Sequence, residues 1–130
     1  MYVLITRQLE QSKKFSSVLE KYNIKNFILP VISIKYFKLK NVDIKRIEKS
    51  DFVIFTSQNS VASLMKTLSK KDFVGKNIAA IGGATKKILD DYKIKVNISP
   101  EENFTSESLL KEIKRNKIIN KKIIIIKGVG

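Results

Sequence analysis

Phe52-Val53-Ile54-Phe55-Thr56-Ser57-Gln58-Asn59 is an apolar run that passes straight into small, polar, cap-forming residues. The first four residues suit a buried strand. The next four suit the start of a helix, where Ser, Thr and Asn side chains accept from free backbone N–H groups. The same change recurs at Ile78–Ile81 into Gly82-Gly83-Ala84-Thr85. It recurs again at Val96–Ile98 into the loop that ends Thr105-Ser106-Glu107-Ser108, and at Ile123–Ile126 into Lys127-Gly128-Val129-Gly130. A parallel sheet gathers all such junctions on one edge, and ligands bind outside that edge. Helix N-termini carry partial positive charge, so the pattern predicts a site for a ligand with several carboxylates or phosphates.

Working outward, strands and helices alternate. Tyr2–Thr6 reads as a buried strand. Phe15, Val18, Leu19 and Tyr22 recur at helical spacing and predict one core-facing stripe, with Asn23 as the stop. Phe27–Leu29 starts a second strand, interrupted by Pro30. Beyond it Ile32, Ile34 and Tyr36 alternate with Ser33 and Lys35, an extended segment with one wet face and a candidate connection between domains. Residues 42–49 read as a short helix. Val61, Leu64, Met65 and Leu68 predict the next helix face, and Ala84, Ile88, Leu89 and Tyr92 another. Gly75 closes the loop between them. Phe104 and Leu109 suit a hydrophobic staple around a Thr105 N-cap, with Leu109, Leu110 and Ile113 facing the core. Residues 122–127 form the last strand, apolar at its centre. The expected fold class is α/β, a parallel sheet with helices on both faces. The last strand has no covering helix after it, so the ending reads as an interruption.

The 130 residues suit one domain or slightly less than a two-domain unit, and 43% are hydrophobic, enough for a core. No apolar run approaches the ~20 residues of a membrane helix. The start shows no basic leader or cleavage site, and there is no Cys. These features predict a cytoplasmic protein without disulfides or thiolate metal sites. The net charge is +14, which suits a polyanionic partner. Yet 23 of the 26 basic residues are Lys, and they are scattered with heavy use of Ile and Asn. That composition fits drift in an A+T-rich coding sequence better than the Arg-rich stripe of a nucleic-acid binder.

The glycine pair after Ile81 lacks the spacing of a dinucleotide fingerprint or a P-loop. A tight turn explains it as well as anion binding does. Four polar residues crowd positions 56–59, where capping needs one, so Thr56, Ser57 and Gln58 are candidate ligand contacts. Gly82 with Thr85, and Thr105 with Ser106, are further candidates. No His is present, which excludes a Ser-His-Asp triad and imidazole metal ligands. Asp90-Asp91 and Glu101-Glu102 read as solvated surface.

The order of motifs resembles the uroporphyrinogen-III synthase family. The carrying residues are Val3-Leu4-Ile5-Thr6-Arg7, Leu29-Pro30-Val31-Ile32, residues 51–61, Gly75–Gly82 with Ala84-Thr85, residues 104–110, and Lys121–Gly130. The resemblance covers the whole chain and about the first half of a typical member. It implies two α/β domains joined by extended segments. Residues 1–35 would supply a β-α-β part of the first, and residues 36–130 most of the second, inserted domain. It also implies an activity: cyclising hydroxymethylbilane, a polycarboxylate, to uroporphyrinogen III with inversion of the last pyrrole, using no cofactor. The residues it places in the cleft are Thr56, Ser57, Thr85, Thr105 and Ser106, with Arg7 at the end of the first strand. Gln8 and Lys127 depart from the Pro and Arg common in the family.

Two other readings stand beside the enzyme. One is an inactive fragment that keeps the fold. The other is a basic α/β module binding nucleic acid, which would show a steep salt dependence. Residues 1–35 hold too little chain to bury a core alone, so self-association through their apolar face is also expected. No membrane partner is expected.

Overall fold

Two short parallel strands and one helix make up the first of two compact units, Met1–Tyr36 and Phe37–Gly130. The structure, a computed structural model, describes residues 1–100, 105–115 and 118–128. In the first unit β1 (Val3–Ile5) runs beside β2 (Asn26–Ile28), with Val3 opposite Asn26 and Ile5 opposite Ile28. The crossover is α1 (Leu9–Lys21), capped at its start by the Gln8 side chain, which accepts from Gln11 N.

The helix does not pack as its apolar spacing predicts. Ser12, Ser16 and Leu19 are buried, whereas Phe15 and Val18 are half exposed and Tyr22 is exposed. The serines are small and have partners. Ser12 Oγ donates to the Arg7 carbonyl at 2.9 Å, and Ser16 Oγ lies 2.6 Å from Asn26 Oδ1. Satisfied hydroxyls let a helix sit close to a narrow sheet, and the bulkier stripe is turned outward. The first strand is likewise not buried on both faces. Only Ile5 is buried, and Leu4 is exposed, because the helix covers one face and nothing in this unit covers the other. Past Pro30 no ladder continues. Ile32 and Tyr36 are exposed and Ile34 is half-buried, so the expected dry face is absent.

The second unit begins with α2 (Asn41–Glu48). A three-stranded parallel sheet follows, ordered β4 (Asn77–Ala80), β3 (Phe52–Phe55), β5 (Ile123–Ile126). Phe52 stands opposite Asn77 on one side and Ile123 on the other. All four residues of the central strand are buried, and they alternate between two cores. Val53 and Phe55, with Ile78 and Ala80, pack against Ile47 of α2, Val61 and Leu64 of α3 (Gln58–Leu64), Leu89 of α4 (Gly83–Asp91), Phe73 and Ile94. Phe52 and Ile54, with Ala79, pack against Ile98, Leu109 and Ile113, the last two from α5 (Ser106–Arg115). Helices therefore cover both faces of a parallel sheet, as the alternation of elements predicts.

Several details differ from that reading. Residues 96–98 form no full strand, only a single parallel bridge from Ile98 to Ala79. Leu110 is half exposed, since Leu109 and Ile113 fill the available face. On α4 the buried positions are Thr85 and Leu89, and Ala84 is exposed. Ile124 and Ile126 reach the first core, but Ile123 and Ile125 on the opposite face of this edge strand are exposed. Phe104 and the Glu101-Glu102 pair lie outside the described residues.

The ends of α1 and α4 close with the same device. Asn23 and Lys93 adopt positive φ, 55° and 60°. The Ile24 and Ile94 N–H groups donate back to the Leu19 and Leu89 carbonyls, at 3.0 and 2.9 Å. This is a Schellman ending, and its usual hydrophobic contact is supplied by Leu89 and Ile94 in the core.

Candidate functional site

Because β3, β4 and β5 are parallel, residues that follow each of them share one edge of the sheet. Thr56 and Ser57 follow β3, Ile81 and Gly82 follow β4, and Lys127 follows β5. Main-chain bonds tie these ends together. Ile81 N donates to the Phe55 carbonyl at 2.9 Å, and Thr56 N to the Ile126 carbonyl at 3.2 Å.

Hydroxyl bookkeeping separates the candidates. A hydroxyl has one proton to donate and two lone pairs. Thr56 Oγ1 spends its proton on the Ile126 carbonyl at 3.2 Å, so it serves the β3–β5 junction. Ser57 Oγ accepts from Ser60 N at 3.2 Å as the N-cap of α3, and its own proton is left for another acceptor. Ser60 Oγ completes this cap, lying 3.3 Å from Ser57 N and donating to the Ser57 carbonyl at 2.6 Å. Gln58 opens the helix and is half-buried. The sequence reading did not include Ser60, although the Ser-x-x-Ser spacing carries the signal.

Gly82 is the N-cap of α4, with φ 85° and ψ 145° and no side-chain cap. A Cβ there would meet nothing within 4 Å, so backbone shape rather than crowding makes the position glycine. Thr85 and Lys86 N donate to the Gly82 carbonyl, both at 3.1 Å, whereas the Gly83 and Ala84 N–H groups ahead of them have no side-chain cap. Thr85 lies one turn in and is buried. It sits in the helix wall behind the edge, not on its open rim. Thr105 caps α5, accepting from Ser108 N at 3.2 Å, and both Thr105 and Ser106 are exposed. Arg7 belongs to the first unit and its side chain is exposed.

Charge distinguishes the helix starts further. The first turns of α1, α2 and α5 carry Glu10, Asp43 and Glu107. Those of α3 and α4 carry no acid. A carboxylate in the first turn offsets the positive end of a helix, and α3 and α4 lack that offset. Among the described residues no group of three His, Cys, Asp or Glu side chains is placed to hold a metal ion.

The model of the family described as uroporphyrinogen-III synthase HemD matches residues 13–130. The chain belongs to the uroporphyrinogen-III synthase family. Two curated relatives agree. A protein of Methanocaldococcus jannaschii named "Putative uroporphyrinogen-III synthase" is 35% identical over 119 residues, covering 88% of this chain and 48% of the relative. One of the same name from Methanothermobacter thermautotrophicus is 29% identical over 113 residues, covering 82% of this chain and 44% of the relative. The chain therefore spans about half the length of the curated relatives it matches. No helix among the described residues is long and apolar enough to cross a membrane.

Proposed function

We propose that this chain acts in uroporphyrinogen-III synthesis, the cyclisation of hydroxymethylbilane with inversion of its last pyrrole, a step in tetrapyrrole and heme biosynthesis. The observation that carries the proposal is the pair of acid-free helix starts, α3 and α4, on one sheet edge of a member of this family. The substrate carries carboxylates around its rim. Ser57 and the first N–H groups of α4 are the donors, with Gln58 and Gly82 lining the same edge. Thr85 supports the α4 turn from behind, and Thr56 fixes the β3–β5 junction. Thr105 and Ser106 are outer contacts. The two units are parts of the family's first and inserted second domains.

The reaction loses a hydroxyl from an electron-rich pyrrole, a chemically easy departure. The protein's work is then to hold one reactive conformer and favour ring inversion, which is positioning and electrostatics rather than general acid–base catalysis by a strong base. Calorimetric titration with an octacarboxylate porphyrin tests the reading. The expected result is weak, salt-sensitive binding, reduced severalfold by Ser57→Ala. Loss of a cap costs about 0.5–2 kcal/mol, so the variant's melting temperature must be recorded beside its affinity. Absence of binding, or equal affinity of Ser57→Ala at unchanged stability, counts against the site. A steep salt dependence for DNA or RNA with no porphyrin binding would favour the nucleic-acid reading instead.

A further inference from the structure

We draw no further inference here: the strongest candidate, the cavity beside the N-terminal ends of β1 and β2 lined by Tyr2, Glu20, Lys25, Asn26 and Phe27, borders the uncovered face of the first unit, and nothing in the structure shows what fills or covers it.

Discussion

Replacing Gly82 and Gly83 separately should move stability in opposite directions. Gly82 holds φ 85° and ψ 145°, a region that side chains with a Cβ occupy at a cost of about 1–3 kcal/mol. Nothing lies within 4 Å of a Cβ at either glycine, so neither replacement meets a clash. The whole penalty at Gly82 is therefore backbone strain, offset by the ~0.4–1 kcal/mol that a Gly→Ala change gains by restricting the unfolded chain. Gly82→Ala should destabilise by about 1–2 kcal/mol, a fall in melting temperature of about 4–16 °C for a unit of this size. Gly83 is the first residue of α4 with no positive φ, so Gly83→Ala gains the entropy term alone and should melt about 2–8 °C higher. Gly82→Asn sharpens the test. Asn tolerates the left-handed region near ψ 47°, but 145° lies far from it, so Asn should do no better than Ala. Thermal unfolding followed by circular dichroism reads all three. A neutral Gly82→Ala, or rescue by Asn, would show that the α4 start does not have this backbone shape.

Lys93 holds φ 60° at the end of α4, where glycine is the ordinary choice, so Lys93→Gly should stabilise by about 0.5–1 kcal/mol in urea unfolding, and a loss of stability would refute the Schellman ending. Phe55 is fully buried and packs against Phe73 with ring centroids 6.0 Å apart, so Phe55→Ala should cost about 3–5 kcal/mol. Ile125→Ala, on the exposed face of β5, should stay within about 0.5 kcal/mol of the parent in the same denaturation series.

The sequence was most legible where local chemistry decides the structure. The central strand, the caps at Ser57 and Thr105 and the stop at Asn23 depend on neighbours within a few positions. The alternation of Phe52 to Phe55 between two cores follows from strand period alone. Legibility failed where burial depends on which partner is present. The stripe Phe15, Val18, Tyr22 looks like a core face, but the helix instead uses Ser12 and Ser16, whose hydroxyls find acceptors that spacing cannot show. Ile123 to Ile126 is apolar throughout, yet an edge position leaves alternate residues open. Within the candidate site the residue types were readable and their duties were not. Nothing in Thr56 or Thr85 as letters says that one bonds to a strand 70 residues away and the other lies in a helix wall.

The sheet order sets a timetable for synthesis. The central strand finds β4 after about one crossover, but its other neighbour is distant. Asp51, beside the start of β3, accepts from the Lys122 N–H 71 residues later. At a ribosome speed of about 5–20 residues per second, that edge of β3 waits about 4–14 s for its partner. During the interval an apolar strand presents unpaired N–H and C=O groups, a template for any neighbouring chain. Once β5 arrives, Thr56 adds both its N–H and its hydroxyl to the Ile126 carbonyl and closes the seam. The strand that ends up most deeply enclosed is, for those seconds, the part of the unit most open to mispairing.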